Sequence, residues 1–250
     1  MIRVEHLCKS FNGHEVFRDL SLEVPSGALL ALIGRSGEGK SVLLKHVAGL
    51  MKPDRGSVWV DGAELGRLRG RDLEQLRSRL GFLFQSGALF DSLTVFENVA
   101  FPLREKTRLA EAEIGDRVRR ELDQVGLTGA EEKYPAQISG GMIKRTALAR
   151  ALIREPKIML FDEPTTGLDP VMANIILRLI AACHERVGFT GIIVSHQIKG
   201  MFNIVQKVAM LHEGRIRVTG SPEEIYASQD PLVKQFITGD TDGPMGCGPE

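Results

Sequence analysis

The chain has 250 residues, of which 43% are hydrophobic, so it can bury a substantial core. Its 32 Lys and Arg residues balance its 32 Asp and Glu residues, which argues against the basic field of a nucleic-acid-binding protein. No apolar run approaches the ~18 residues of a membrane span, and residues 1–6 lack the apolar segment of a signal peptide. Three scattered cysteines, Cys8, Cys183 and Cys247, predict free thiols in a reducing, cytoplasmic compartment.

Hydrophobic periodicity and turn residues predict strands that alternate with helices. The predicted strands are short stretches within residues 2–24, then 28–33, 57–60, 81–84, 158–161, 191–194, and two between 207 and 218 joined at Glu213-Gly214. The predicted helices are 42–50, 67–80, 111–125, 170–187 and a short one from Pro222. This alternation favours an α/β fold with a mainly parallel sheet, beside a small antiparallel sheet.

A phosphate-binding loop joins the strand at 28–33 to the helix that follows it. It reads Gly34, Arg35, Ser36, Gly37, Glu38, Gly39, Lys40 and Ser41, followed by Val42. Its glycines let backbone N–H groups curl around a polyphosphate, and the helix N-terminus adds partial positive charge. Lys40 can reach the β- and γ-phosphates, and the Ser41 hydroxyl can ligate Mg²⁺. The loop predicts binding of a nucleoside triphosphate.

Two acids end the apolar strand at 158–161, namely Asp162 and Glu163. Asp162 can support Mg²⁺ directly or through water, while Glu163 can polarise an attacking water. With the phosphate-binding loop, this pair predicts hydrolysis of a nucleoside triphosphate.

A second anion site is indicated at Ser139, Gly140 and Gly141, which open an Ala- and Leu-rich helix. An ordinary helix N-cap is the alternative interpretation of Ser139. The surrounding sequence resembles the ATP-binding-cassette (ABC) ATPases, whose LSGGQ signature stands at this place. The resemblance implies a homodimer in which this signature caps the γ-phosphate of ATP bound to the other subunit.

Other motifs of that family match in the same order along the chain. By resemblance, Phe11 stacks on adenine, although it could equally be a core residue, and Gln85 contacts Mg²⁺ or water. Asp169 matches the D-loop while also capping a helix, and His196 matches the histidine that touches the γ-phosphate. The resemblance therefore assigns catalysis to Glu163, His196 and Gln85, and the metal to Ser41, Gln85 and Asp162.

This sequence departs from the family pattern at three positions. Met142 replaces the usual signature Gln, Gln197 replaces the usual Asp after the histidine, and Glu38 is unusual inside the loop. None of these changes removes a side chain expected to touch phosphate or metal. They bear on the rate and on coupling rather than on ATP binding.

The resemblance implies the P-loop ABC ATPase fold over residues 1–228, with a helical subdomain inserted at about 86–156. Residues 229–250 form a C-terminal extension, and its end, 239–250, is rich in Gly and Pro. That end is predicted to lack a core of its own. It is either a disordered end or a segment that docks on the neighbouring subunit.

One stretch narrows the class of transporter. Residues 84–105 and the Met at position 142 are similar to the ATPases of MCE-type lipid transporters, the Mla-type phospholipid systems. The implied partners are integral membrane permease subunits and, through them, an MCE-type substrate-binding protein. The implied location is the cytoplasmic face of the inner membrane, with membrane contact only through the permease and no nucleic acid. The alternatives are the ATPase of a polar-solute importer and a soluble ABC ATPase that acts as a mechanical switch.

Overall fold

A six-stranded sheet forms the centre of the molecule in the computed structural model, which describes residues 1–245. Its strand order is β10-β9-β3-β8-β7-β6, and every neighbouring pair is parallel except β9 with β10. The strands are β3 (Leu29–Ile33), β6 (Leu80–Leu83), β7 (Ile158–Asp162), β8 (Thr190–Val194), β9 (Lys207–His212) and β10 (Arg215–Gly220). The prediction of a mainly parallel sheet is confirmed.

The central strand β3 is fully buried, which explains its unbroken apolar sequence. Leu30 and Leu32 face one hydrophobic cluster, whereas Leu29, Ala31 and Ile33 face the other. Strands covered on both faces lose the polar alternation of a half-exposed strand.

A four-stranded antiparallel sheet, in the order β2-β1-β4-β5, lies beside this centre. Its strands are β1 (Ile2–Phe11), β2 (His14–Val24), β4 (Arg55–Val60) and β5 (Ala63–Glu64). Its inner face shares one cluster with Leu30 and Leu32 and with Leu43 and Leu44 of the first helix. The predicted antiparallel sheet is therefore present.

Helices cover the parallel sheet and fill the segment between β6 and β7. They are α1 (Lys40–Val47), α2 (Gly70–Arg77), α3 (Val95–Lys106), α4 (Glu111–Gln124), α5 (Gly140–Leu152), α6 (Pro170–Val187), α7 (Ile198–Phe202), α8 (Pro222–Tyr226) and α9 (Pro231–Thr238). Helices α3, α4 and α5 enclose a separate cluster that includes Val99, Val118 and Ala149. None of the helices in residues 1–245 has the length and apolar character needed to cross a bilayer.

Capping residues recognised in the sequence correctly located several helix ends. Asp169 caps α6 with Pro170 at its first position, Gly188 ends α6 in the left-handed region at φ 72°, and Ser221 forms a capping box at α8. The predicted helix at 67–80 is shorter in the structure, where α2 spans Gly70–Arg77. The positive φ of Gly70, 49°, marks the bend at which it begins.

The described part of the C-terminal end packs on its own chain. Met245 packs against the hydrophobic cluster that contains Leu29 of β3, and its N–H donates to the Gln235 side chain at 2.8 Å. Its carbonyl accepts from Arg35 Nη1 at 2.9 Å. Residues 239–245 thus gain contacts that their composition did not indicate. Residues 246–250, including Cys247, lie outside the described part, whereas Cys8 and Cys183 are free thiols.

Candidate functional site

The site lies where three neighbouring parallel strands end. Leu32 of β3 and Asp162 of β7 are both paired with Val194 of β8. The loop 34–39 follows β3, Glu163 follows β7, and His196 stands two residues after β8. Because the carboxyl ends of parallel strands share one edge of the sheet, these three segments lie side by side.

The loop at 34–39 has a backbone that only glycine adopts without strain at its tightest points. Gly34, Gly37 and Gly39 have φ of 150°, 83° and 98°. A Cβ on Gly39 would lie 2.5 Å from Val16 Cγ1 and 3.0 Å from Phe17 Cε1. Gly39 is also the N-cap of α1 and provides no side-chain cap. The first N–H groups of α1 are therefore free to bind an anion.

Lys40 is held inside the loop. Its Nζ donates to the carbonyl oxygens of Gly34 and Arg35, both at 2.7 Å, and the residue is 5% exposed. Burial lowers the pKa of the Lys40 ammonium, and the nearby carboxylates, Glu163 foremost, oppose that shift. An ammonium bound to carbonyls rather than paired with a carboxylate is ready to exchange those contacts for a phosphate.

Ser41 and Asp162 meet across the site. The Ser41 hydroxyl donates to Asp162 Oδ1 at 2.7 Å. Burial raises the pKa of the Asp162 carboxyl, and the charge of Glu163 adds to this, while the Ser41 hydrogen bond opposes it. The pair presents oxygen atoms of the hard type that Mg²⁺ prefers.

Glu163 and His196 form a second pair. His196 Nε2 lies 2.7 Å from Glu163 Oε1. The other carboxylate oxygen accepts from the Thr166 hydroxyl at 2.6 Å. Glu163 has φ 49°, and its N–H donates to the Val194 carbonyl at 2.9 Å. This bend turns the Glu163 side chain toward β8 rather than along the direction of Asp162. No pattern in the sequence indicated that Thr166 would contact Glu163.

Gln85 follows β6 and is exposed. Its carbonyl accepts a hydrogen bond from Lys144 of α5, a residue that is 5% exposed. Sequence reasoning missed this link between the segment after β6 and the helix that Ser139 opens. Helical spacing was the one sequence signal for it, because it places Lys144 on the buried face of α5 together with Gly141 and Leu148.

Ser139 caps α5 and lies at the surface. Its Oγ accepts from Met142 N–H at 3.3 Å, so the N-cap interpretation is correct, and Gly140 beside it is exposed. A Cβ on Gly141 would lie 2.5 Å from Met172 Cε, so α5 and α6 approach closely there, and a larger residue would displace the flexible end of the Met172 side chain. The Asp169 carboxylate accepts from the N–H groups of α6, at Val171 and at Met172. Ser139 and Asp169 both remain at open surfaces rather than against the loop of their own chain.

Phe11 lies at the end of β1 and is 39% exposed. The ammonium of Lys9 stands 5.3 Å from the centre of its ring. Phe11 is therefore not a core residue, and an aromatic face remains accessible for stacking.

Glu38 has a partner that the sequence did not reveal. Its Oε1 lies 3.0 Å from Nδ1 of His212, the last residue of β9. The two residues are 174 positions apart in the chain, and no local pattern connects them.

Comparison with known proteins agrees with this geometry. The sequence model of the family described as ABC transporter matches residues 17–166. The chain is 41% identical over 249 residues to the probable ribonucleotide transport ATP-binding protein mkl of Mycobacterium leprae, covering 100% of this chain and 72% of that protein. It is 40% identical over 245 residues to the intermembrane phospholipid transport system ATP-binding protein MlaF of Haemophilus influenzae, covering 98% and 93% of the two chains. MlaF of Escherichia coli K12 is 40% identical over 230 residues, covering 92% and 86%.

Solved structures share the fold. A dimeric post-hydrolysis state of the ATP-binding cassette MJ0796 bound to ADP and Pi superposes with a TM-score of 0.81 at 29% identity, covering 89% of this chain and 99% of that one. The structure of cbiO1 from Clostridium perfringens gives a TM-score of 0.83 at 30% identity, covering 94% of each chain.

The loop geometry predicts different costs for two glycine substitutions. Gly37 and Gly39 both have positive φ, but only a Cβ on Gly39 meets other atoms within 4 Å. We expect Gly37→Ala to lower the free energy of unfolding by about 1 kcal/mol from backbone strain. Gly39→Ala should cost roughly 1–3 kcal/mol more, because Val16 and Phe17 must move. Urea unfolding of both variants checks this, and equal costs would contradict the close contact.

Proposed function

The chain belongs to the ABC transporter family of ATPases, and on that premise we propose that it hydrolyses ATP to drive phospholipid transport through a membrane permease. The observation that supports the chemistry is the adjacency of the Ser41–Asp162 and Glu163–His196 pairs. The observation that supports the cargo is 40% identity with a phospholipid transport ATPase over 93% of that protein's length.

Binding of the triphosphate is assigned to the loop and to Lys40. Free N–H groups at the start of α1 point to one concave surface, and the Lys40 ammonium exchanges the Gly34 and Arg35 carbonyls for phosphate oxygens. Phe11 offers its exposed ring to the adenine. The remaining loop residues, Ser36 and Gly37 among them, and Val42 beyond the loop supply backbone contacts.

Ser41, Asp162 and Gln85 are the proposed ligands or water-mediated partners of Mg²⁺. Oxygen donors of this kind fit a hard divalent cation. Bound there, Mg²⁺ neutralises charge on the phosphates. Burial disfavours the ionised Asp162 carboxylate and raises the pKa of this group. A cation bound nearby would stabilise the ionised form.

Glu163 is the proposed general base. Its carboxylate is oriented by Thr166 on one oxygen and by His196 on the other. The oxygen that faces His196 takes a proton from the attacking water, while the His196 imidazole turns to the γ-phosphate. Positioning and electrostatics then supply the rate enhancement, since phosphoryl transfer needs little covalent participation.

A second copy completes the site. Ser139 and Gly140 are exposed at the start of α5, with N–H groups free for an anion. In a homodimer that pairs each loop with the partner's Ser139, Gly140 and Gly141, two ATP molecules bridge the subunits, and the Asp169 segments meet at their junction. ATP closes this dimer, and hydrolysis reopens it.

The membrane partner is proposed to dock on the segment after Gln85. Phe90 and Phe101 are exposed, with ring centres 4.7 Å apart, and Phe84 is exposed nearby in the chain. An apolar aromatic surface suits a groove that receives a helix of a permease. The chain then works at the cytoplasmic face of an inner membrane, and an MCE-type protein contacts it only through the permease.

A ribonucleotide cargo is the second candidate, because the mycobacterial relatives carry that description and match the whole chain. Phospholipid is preferred since the MlaF proteins are matched over more of their own length, 93% and 86% against 72%.

Glu163→Gln is expected to lower the rate of ATP hydrolysis by at least about 100-fold, because it removes the base and keeps the shape. ATP affinity should be retained, and the protein should accumulate as an ATP-bound dimer. Glu155→Gln is a matched control, since Glu155 is exposed and has the same φ of 49°. Steady-state hydrolysis and size-exclusion chromatography with ATP measure both effects. Turnover at the wild-type rate would remove Glu163 from the mechanism.

Mixing two inactive variants tests the composite site. Ser139→Arg should allow ATP binding but block closure, because the bulky cation enters the partner's phosphate site, whereas Lys40→Ala should weaken ATP binding itself. In a mixed dimer one site carries both changes and the other carries neither. We expect the mixture to hydrolyse ATP faster than either variant alone. Full activity of Ser139→Arg by itself would refute action across subunits.

The cargo is tested by purifying the full chain from its own membranes and identifying the co-purifying proteins by mass spectrometry. The complex, reconstituted in vesicles of phosphatidylethanolamine and phosphatidylglycerol, should move fluorescent phospholipid in an ATP-dependent manner that Glu163→Gln abolishes. Uptake of ribonucleotides without lipid movement would replace the cargo but not the ATPase. Absence of any membrane partner would refute the transporter.

A further inference from the structure

Glu38 places a negative charge in a loop that is built to bind polyphosphate. We propose that Glu38 and His212 are paired positioning residues, in which the carboxylate closes the loop and the imidazolium cancels its charge. Nucleotide affinity then depends on a proton held at His212. The inference deepens the proposed function and rests on binding of nucleotide by the loop.

The Glu38 carboxylate is folded back onto its own loop. Oε2 accepts from the Arg35 N–H at 3.2 Å, and Oε1 faces His212 Nδ1 at 3.0 Å. A Cβ on Gly34 would lie 2.7 Å from Oε2 and 2.5 Å from the Leu211 carbonyl. The carboxylate therefore packs directly on the first glycine of the loop and joins the loop to the end of β9.

Both members of the pair are largely withdrawn from water. The side chains of Glu38 and His212 are 14% and 16% exposed. Screening by solvent is weak at such a position, so an uncompensated charge is felt over a longer distance than at the surface. A carboxylate of this kind requires a cationic partner to avoid repelling a polyphosphate.

The imidazole is delivered by a rigid element. His212 ends β9, which runs parallel to β3 with Met210 opposite Ile33. The turn after it is fixed to β2, because Arg18 N–H donates to the Gly214 carbonyl at 2.9 Å. Since β3 leads into the loop and β9 carries the imidazole, the distance between the two groups is set by the sheet.

The charge of Glu38 reaches the phosphate-binding ammonium. Burial lowers the pKa of Lys40, and Glu38 is among the carboxylates that oppose this shift, after Glu163. Nucleotide phosphates that bind to Lys40 are therefore within range of the Glu38 charge. We expect one unit of charge at Glu38 to change nucleotide affinity by about 3- to 10-fold.

Other ionisable groups surround the pair, and one of them, His14, is also an imidazole. His212→Gln leaves His14 in place and therefore separates the two contributions. A cavity of about 300 Å³ between β2 and the turn after β9 borders Glu38. The charged groups that face the pair are His14, Glu15 and Arg18 of β2, Arg35 and Lys40 of the loop, Glu213 of the turn, and Arg215, opposite His212 on β10. Arg18 is paired with Glu15 at 3.2 Å, and Arg35 contacts the Met245 carbonyl. Within residues 1–245, the salt-bridge partner of Glu38 is His212.

The test is calorimetric titration of the full chain with ADP, which is not hydrolysed, from about pH 6 to about pH 8.5, across the range in which an imidazole titrates. With the imidazole protonated the pair carries no net charge, and with it neutral Glu38 is uncompensated, so wild-type affinity should fall as the pH rises. His212→Gln should bind ADP about 3- to 10-fold more weakly at acidic pH and lose this slope. Glu38→Gln, which keeps the imidazole, should keep a slope and should bind ADP about 3- to 10-fold more tightly than wild type, because it removes one negative charge.

Two further variants serve as controls. The ionisation of ADP contributes equally to the pH profile of every variant, so the result is read from the differences between profiles. The double variant Glu38→Gln/His212→Gln should show no slope and should match Glu38→Gln only at alkaline pH, where the imidazole carries no charge. Glu213→Gln, which removes a neighbouring exposed carboxylate, should keep the wild-type profile.

Equal ADP affinity of wild type and Glu38→Gln would overturn the inference, and so would a weaker His212→Gln protein with an unchanged slope. Glu38→Gln is nearly isosteric and keeps the comparison valid if His212→Gln does not fold. Failure of the proposed function is recognised separately: Lys40→Ala would then bind ADP as tightly as wild type.

Discussion

The parallel register of β3, β8 and β7 is the constraint on which the site depends. Val194 of β8 is paired with both Leu32 and Asp162, so all three strands end at one level. The segments that follow the three strands therefore lie next to one another at this edge of the sheet. The bend at Glu163, fixed by a hydrogen bond to the Val194 carbonyl, then separates its carboxylate from that of Asp162. One strand end in this way supplies two acids with different neighbours.

Several carboxylates lie near the Lys40 ammonium at this edge of the sheet. Three carboxylates, Asp162, Glu163 and Glu38, oppose the lowering of the Lys40 pKa by burial. Each carboxylate is restrained by a separate partner: the Ser41 hydroxyl, the His196 imidazole and the His212 imidazole. Buried charges of one sign are tolerated only where donors of this kind face them. The arrangement thus gives each of the three acids its own donor or ion-pair partner.

In the proposed homodimer, each subunit would contribute two half-sites rather than one complete site. The loop and its acids lie at the edge of the sheet, whereas Ser139 opens toward solvent at the start of α5. The close contact of Gly141 with Met172 joins α5 to α6, and Lys144 joins α5 to the segment after β6. These two contacts tie α5 to α6 and to the segment after β6.

The sequence by itself determined the features that depend on a few adjacent residues. These are the glycines of the loop, the caps at Ser139 and Asp169, and the buried strands on either side of them, because local backbone sterics and N-cap hydrogen bonds act within one turn of chain. Even there, the ends of α2 shifted by three residues. Only the tertiary structure decided that Glu163 meets His196, that Glu38 meets His212, and that Met245 returns to Arg35. Those contacts depend on strand order and register, which are settled by packing of the whole core and leave no periodic signal in the sequence.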